Sequence, residues 1–180
     1  MIRKSISAGI AISLGCIVSQ AVGGSVLGAV LFSIGLLTVF HLKLNLFTGK
    51  VCTDTLPSDL LAILFFNLCA AIIMGVLFPG GDVSAKLAES IPQILLKGFM
   101  CNVLIGIAVK AKNDLITVLA VVVFILSGYE HCIANAFYLS ASRQLFTVHG
   151  SGFLIINIFA NILGGVCFKA MLKEKDNERD

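Results

Sequence analysis

The stretch Ser127-Gly128-Tyr129-Glu130-His131-Cys132-Ile133-Ala134-Asn135 places a glutamate and a histidine inside an apolar run that extends from Leu115 to Leu139. Ionisable side chains deep in a bilayer are costly and persist only where they are paired or line a wet pathway, so they indicate a functional site. The Ser-Gly before the pair favours a break in the helix, as occurs around transporter sites at mid-membrane depth. The stretch therefore predicts a broken membrane helix that presents His131 to a small solute.

The composition is that of a membrane protein. The 180 residues are 58% hydrophobic and 13% charged, with a mean hydropathy of +1.01, whereas soluble domains are about 45–50% apolar and about 25% charged. We expect one transmembrane domain over residues 1–180, with short loops and no soluble domain. No basic cluster alternates with aromatic residues, which argues against a nucleic-acid partner. The six cysteines are scattered without a C-x-x-C pair, so we expect no disulfide framework, metal site or cofactor.

Six apolar segments have the character of membrane spans. Residues 5–40 carry no charge and exceed the roughly 20 residues that one span needs, and the flexible stretch 19–25 divides them. The second predicted span is interrupted by polar residues at 41–50 and the fifth at the Glu-His pair. Residues 173–180 form a charged cytoplasmic tail. The predicted helices are 6–18, 26–40, 60–78, 92–109, 115–140 and 153–172.

The two halves of the chain, about 5–80 and 83–172, show a weak internal repeat. The second and fifth spans break at matching positions, and Phe65-Phe66-Asn67-Leu68-Cys69-Ala70-Ala71 parallels Phe159-Ala160-Asn161-Ile162-Leu163-Gly164-Gly165. Three spans followed by three spans give the halves opposite orientations, and paired interruptions in inverted halves indicate a central site. We therefore predict an all-α membrane protein with six transmembrane helices in two inverted three-helix repeats, the second and fifth helices being broken.

The basic residues predict how this bundle lies in the membrane. Six spans place both termini on one face, and ten of the thirteen basic residues fall on that face. The positive-inside rule then puts both termini in the cytoplasm of a bacterial-type plasma membrane. The ten are Arg3, Lys4, Lys43, Lys50, Lys110, Lys112, Lys169, Lys173, Lys175 and Arg179, and the other three are Lys86, Lys97 and Arg143.

Four motifs resemble those of the formate/nitrite transporter family and occur in the same order. They are Leu46-Phe47-Thr48-Gly49, Gly98-Phe99-Met100-Cys101-Asn102, Gly128-Tyr129-Glu130-His131-Cys132-Ile133-Ala134-Asn135 and Asn161-Ile162-Leu163-Gly164-Gly165. The resemblance implies an aquaporin-like homopentameric channel in membrane lipid, with a small monovalent anion and a proton as its partners. The chain is short for that family, which implies that gating by an N-terminal extension is absent.

The resemblance also implies roles for individual residues. His131 would be the pore histidine, Thr48 the hydroxyl opposite it, and Asn161 a nearby polar partner. One apolar constriction would be formed by Phe32, Leu36 and Phe124, and the other by Leu46 and Ile105. Glu130, Lys86, Asn102 and Asn135 would form a buried polar network behind the histidine. Two residues depart from the family pattern, because Asn45 stands where an acid is usual and Lys50 adds a cation.

The chemistry of a weak acid suits such a site. A desolvated anion is costly in a low-dielectric constriction, whereas its neutral acid crosses at much lower cost. Histidine, with an unperturbed pKa of about 6.5, suits a centre that attracts the anion and helps to protonate it. Consecutive side chains on a helix diverge by about 100°, so we expect Glu130 to face Lys86 while His131 faces the pore.

Other interpretations of the same residues remain open. His131 could bond to a neighbouring helix, Thr48 to its own backbone, and Asn67 and Asn161 could join helices. His41 and His149 fit interfacial or loop positions. At the level of function, the alternatives are a neutral-solute or ammonium pore of aquaporin-like architecture and, less favoured, an intramembrane enzyme that uses His131 with a serine or cysteine.

Overall fold

A computed structural model describes the backbone of residues 1–177 and the side chains of residues 1–172, and every regular element in that part is an α-helix. The predicted tail, 173–180, lies largely outside the described residues. The helices are α1 (Ile2–Ala21), α2 (Val26–His41), α3 (Phe47–Val51), α4 (Pro57–Leu77), α5 (Ser84–Leu87), α6 (Ile91–Ala111), α7 (Asp114–Leu126), α8 (Cys132–Ala141) and α9 (Val148–Asn177).

The last span begins earlier than the sequence predicted. The stretch 149–152 was expected in a connection, but it forms the first turn of α9. The hydroxyl of Thr147 accepts a hydrogen bond from the backbone N–H of Gly150 at 3.0 Å, which satisfies one of the free N–H groups of a helix start. This cap outweighs the two glycines of the stretch, so His149 lies on a helix.

Helix length separates the spans into two kinds. α1, α4, α6 and the part of α9 from Val148 to Leu172 have 20–25 residues and are apolar enough to cross a membrane, since 20 residues of helix measure about 30 Å. α2, α7 and α8 have 16, 13 and 10 residues, or about 24, 20 and 15 Å of helix. Each of these three helices is too short to cross alone.

The helix contacts are matched between the two halves. α1 packs against α2 and α4, as α6 packs against α7 and α9. Each short helix also packs against a long helix of the opposite half, α8 against α4 and α3 against α9. α2 and α7 contact each other. The halves therefore interlock, and the starts of α3 and α8 are held within the bundle.

The distribution of polar and apolar side chains between surface and interior is the reverse of that in a soluble protein. Large apolar side chains such as Leu61, Phe65, Ile155 and Phe159 are exposed on the outside, as is expected where lipid tails are the solvent. The interior instead buries polar side chains, among them Thr48, Asn67, Asn102, Glu130, His131, Asn135, Asn157 and Asn161. Such groups are costly in an apolar interior unless they are hydrogen-bonded, so their partners define the site.

Candidate functional site

Asn161 supports the break between α7 and α8. After α7 ends, Gly128 adopts a φ of 63°, and residues 129–131 lie outside any helix before α8 begins. The Oδ1 atom of Asn161 accepts a hydrogen bond from the N–H of Cys132 at 2.9 Å. Its Nδ2 atom donates to the carbonyls of Glu130 (2.9 Å) and Gly98 (2.8 Å). Unpaired backbone groups cost several kcal/mol in lipid, so these three hydrogen bonds to backbone atoms let Asn161 stabilise the break.

Asn67 supports the break between α2 and α3. Its Oδ1 atom accepts from the N–H of Phe47 at 2.8 Å. Its Nδ2 atom donates to the carbonyl of Ser5 on α1 at 2.7 Å and to that of Asn45 in the break at 3.0 Å. Asn67 therefore joins α4, α1 and the start of α3, the interhelical role that was one interpretation of this residue.

The two breaks bring Thr48 and His131 together. The Oγ1 atom of Thr48 lies 3.0 Å from Nε2 of His131, and the two residues are 0% and 3% exposed. His131 is the N-cap of α8, and its Nδ1 atom accepts a hydrogen bond from the N–H of Ala134 at 3.2 Å. Because Nδ1 is an acceptor, a neutral ring carries its proton on Nε2. This N–H then donates a hydrogen bond to Oγ1 of Thr48. The pair thus presents an N–H donor and a hydroxyl at the same buried point.

Glu130 faces away from this pair and into a polar group of its own. It is 1% exposed, and its carboxylate accepts two hydrogen bonds from Nζ of Lys86, at 2.8 and 2.6 Å. Nδ2 of Asn135 donates to the same carboxylate at 2.8 Å. A carboxylate can be buried in charged form when it is paired and hydrogen-bonded in this way. The structure brings Glu130, Lys86 and Asn135 together.

Asn102 lies elsewhere, which corrects the predicted four-residue network. Its Nδ2 atom donates to the backbone carbonyl of Thr48 at 3.2 Å, not to Glu130. Within the described chain its Oδ1 atom is buried without a hydrogen-bond partner. The reason is the path of α6. Gly98 of α6 lies beside the break before α8, whereas Asn102, one turn later, lies beside the start of α3. Asn102 therefore supports the Thr48 side of the site.

Sequence reasoning missed Asn157, which completes the group around Glu130. Its Nδ2 atom donates to the carbonyl of Glu130 at 2.7 Å, and its Oδ1 atom accepts from Nδ2 of Asn135 at 2.7 Å. The residue is fully buried. Its position four residues before Asn161 was the available signal, because residues four apart share one face of a helix.

The apolar residues expected in the two constrictions are all buried. The rings of Phe32 and Phe124 meet edge to face, with centroids 5.6 Å apart, and Phe124 stacks on His131 at 6.2 Å. Leu36 is buried one turn after Phe32 on α2. Leu46 and Ile105 are also buried, and Leu46 reaches the wall of a cavity of about 490 Å³.

Among the described residues, four apolar helices are long enough to span a membrane, and two pairs of shorter helices are interrupted at one buried polar centre. These features define an integral membrane transport protein. The family model described as formate/nitrite transporter matches residues 1–173. The chain belongs to this family, whose members are channels and transporters rather than enzymes, and the resemblance of the four motifs is thereby confirmed.

Solved structures show the same fold. A structure described as a pentameric formate channel with formate bound is 22% identical, with a TM-score of 0.82 over 98% of this chain and 96% of that chain. One described as an FNT family ion channel is 24% identical, with a TM-score of 0.81 over 97% of this chain and 89% of that chain. Comparison with individually curated protein sequences gave no significant match.

Proposed function

We propose that this protein is a channel or transporter for small monovalent weak-acid anions of the formate, nitrite or hydrosulfide type. The observation that supports this most strongly is the buried pair of Thr48 and His131, whose Oγ1 and Nε2 atoms lie 3.0 Å apart where two broken helices meet. With a neutral imidazole, the pair offers hydrogen-bond donors to an incoming anion. Asn161 contributes by holding the backbone from which His131 projects.

The proposed topology has six crossings. α2 with α3 makes the second crossing and α7 with α8 the fifth, because neither member of each pair is long enough alone. The two halves then have inverted orientations, and both termini lie in the cytoplasm of a bacterial-type plasma membrane, where most basic residues fall. We further propose a homopentamer, as is stated of the related formate channel.

The proposed mechanism follows from the two nitrogens of His131. An anion that reaches the site replaces Thr48 as the acceptor of the hydrogen bond from Nε2–H of His131. The N-terminus of α8 adds partial positive charge that also attracts the anion. A neutral imidazole that gave up its Nε2 proton would become an anion, so protonation of the substrate passes through the imidazolium. In that state Nδ1 also carries a proton and releases the N–H of Ala134.

The constrictions determine which species passes. After protonation at His131, the neutral acid leaves through the second constriction it meets at a lower desolvation cost than the anion. Depending on the direction of flow, that constriction is the one formed by Phe32, Leu36 and Phe124 or the one formed by Leu46 and Ile105. The Glu130 carboxylate pairs with Lys86 and accepts a hydrogen bond from Asn135. It fixes the backbone of the break while His131 remains directed at the pore.

Flux into proteoliposomes tests this function. We expect formate, nitrite or hydrosulfide to enter faster when the outside of the vesicles is more acidic than the inside. His131→Phe should reduce that uptake at least tenfold, because it removes the Nε2 donor. His131→Asn is the matched variant, since its amide can still donate a hydrogen bond, and it retains more uptake. Uptake of ammonia, water or glycerol without any of the three anions would instead establish the neutral-solute or ammonium pore.

A further inference from the structure

A second buried carboxylate lies near Glu130, in the connection between α5 and α6. The Oε1 atom of this residue, Glu89, accepts a hydrogen bond from Nζ of Lys97 at 2.5 Å. Its Oε2 atom is buried and has no hydrogen-bond partner among the residues that the structure describes. The side chain as a whole is 10% exposed. A buried carboxylate oxygen without a donor is costly, so it marks a place where a further ligand can bind.

Lys97 lies against the break that leads to His131. Its Nζ atom is 3.9 Å from the point where a Cβ atom would stand on Gly128. Its backbone carbonyl accepts a hydrogen bond from the N–H of Glu130 at 3.4 Å. The Lys97 side chain is 31% exposed, so a small ion can reach it. The Glu89 carboxylate therefore holds a reachable cation beside the backbone that presents the pore histidine.

The charges around Glu89 are balanced. Lys97 on α6 and Lys86 on α5 are the cations, and Glu130 in the break is the other acid. On α9, His149 is directed at a backbone carbonyl at the end of α5. With both acids ionised, the two ion pairs leave no net charge. Protonation of one acid leaves its lysine without a counter-ion.

Glu89 is the acid with the fewer hydrogen bonds. It has one donor, Lys97, whereas Glu130 accepts two hydrogen bonds from Lys86 and one from Asn135. Hydrogen bonds to the ionised form of an acid favour that form. Burial raises the pKa of Glu89 above its usual range, and the hydrogen bond from Lys97 offsets this only in part. Mild acid therefore neutralises Glu89 and frees the ammonium group of Lys97.

We propose that Glu89 and Lys97 form a loading site for one proton and one small monovalent anion at the N-terminal end of α6. The proposal rests on the proposed function and adds a site that the anion occupies before it reaches His131. A proton from water binds Oε2 of Glu89, Lys97 keeps its own proton, and the anion takes the place of the carboxylate beside Nζ. The site gains one positive and one negative charge and stays neutral. The two ligands consequently bind cooperatively, and each raises the affinity for the other by the same factor.

The half-saturating formate concentration tests this site. It is measured in sided membrane vesicles from about pH 5 to about pH 7, where a carboxylate in water stays mostly ionised. For entry from the face on which α6 begins, acidification should lower it in the unmodified protein by at most about tenfold per pH unit, the limit for one linked proton. Glu89→Gln resembles the protonated acid and should keep the low value at every pH. Lys97→Gln lacks the cation and should keep the high value at every pH.

Two controls separate this site from the histidine. Asp82→Asn neutralises an exposed carboxylate two residues before α5 and should leave the pH dependence in place. Combining Glu89→Gln with Lys97→Gln should give the behaviour of Lys97→Gln alone. Acid stimulation of the maximal rate, which the proposed function assigns to His131, should persist in both single variants.

An infrared titration locates the proton without any transport. The carboxyl C=O band that Glu89→Gln removes should appear at a pH above the usual range of a glutamate. A band that appears only within that range, or a half-saturating concentration with the same pH dependence in Glu89→Gln and the unmodified protein, overturns the inference while the transport function stands. Absence of formate, nitrite and hydrosulfide uptake by the unmodified protein overturns both.

Discussion

Asn67 and Asn161 make the same three hydrogen bonds in the two halves of the protein. Each Oδ1 atom accepts from the first N–H of a short helix, and each Nδ2 atom donates to one carbonyl in the break and one on a long helix. The matched partners are Phe47 and Cys132, Asn45 and Glu130, and Ser5 and Gly98. This correspondence equates Leu46 with His131, so one half carries the ionisable pair and the other carries Asn45 and Leu46.

Asn67→Ala and Asn161→Ala are expected to lower the thermal stability of the protein in detergent by similar amounts. Each variant leaves the first N–H of a short helix without its partner, and a buried unsatisfied group costs about 1–3 kcal/mol. The carbonyl of Glu130 keeps its hydrogen bond from Asn157 in the Asn161 variant. Asn113→Ala is the matched control, because it removes only the N-cap hydrogen bond of α7 at the surface, worth about 1 kcal/mol. Melting temperatures of the two buried variants no lower than that of Asn113→Ala would contradict this role.

The sequence was sufficient to predict an all-α membrane protein, the two interruptions and the family, because these depend on local composition and short motifs. The short helices α3 and α5 were not predicted. Leu115 to Leu139 reads as one apolar run interrupted at Glu130, and the structure interrupts it there. The partners of Asn102 and Asn157 were not predictable in the same way. They depend on which turn of α6 or α9 passes each break, and helix packing decides that. His149 was misplaced because a single threonine cap extended α9.

The ion pair of Lys86 and Glu130 gives the next prediction. Lys86→Met leaves a carboxylate that is 1% exposed without its counter-ion, and removing one partner of a buried pair costs about 3–5 kcal/mol. The lower end is expected because the Lys86 side chain is 29% exposed. Adding Glu130→Gln removes the uncompensated charge and should recover part of the loss. A double-mutant cycle on unfolding measures the coupling, and additive effects of the two substitutions would argue against a direct pair.

His149 should act on this pair from a distance. Its Nε2 atom lies 2.7 Å from the carbonyl of Leu87, at the end of the four-residue helix α5 that carries Lys86. A helix this short is not stable alone, so His149→Ala should increase hydrogen exchange over residues 83–88 and lower anion flux. His149→Gln, which keeps an N–H donor, should behave more like the unmodified protein. In a Lys86→Met background, His149→Ala should have no further effect on flux, and a full additional loss would separate the two residues.

Asp82 makes the same segment sensitive to acid. The backbone N–H of Ser84 donates to its carboxylate at 2.8 Å, and this hydrogen bond holds the pKa of Asp82 below its usual value. A lowered pKa in the folded state stabilises the fold above the unfolded pKa and ceases to do so as pH falls through the folded value. Protection of residues 83–88 from hydrogen exchange, corrected for intrinsic rates, should therefore fall below about pH 4. Asp82→Asn should abolish that dependence, and a persistent transition in the variant would assign it to another group.

A substitution at Gly164 tests the close contact between α6 and α9. The hydrogen bonds that Asn157 and Asn161 of α9 make to the break before α8 depend on this contact. A Cβ atom at this position would clash with the backbone carbonyl of Phe99, and backbone cannot move aside as a flexible side chain does. Gly164→Ala should therefore separate α9 from α6 and shift Asn161 from Gly98, with a loss of both stability and flux. Gly152→Ala is the matched control on the same helix, where nothing lies within 4 Å of the added atom. There alanine should be neutral or stabilise the helix by up to about 1 kcal/mol. The difference between the two melting shifts isolates packing from helix propensity. Equal shifts would mean that α6 and α9 tolerate a wider spacing than the buried asparagines require.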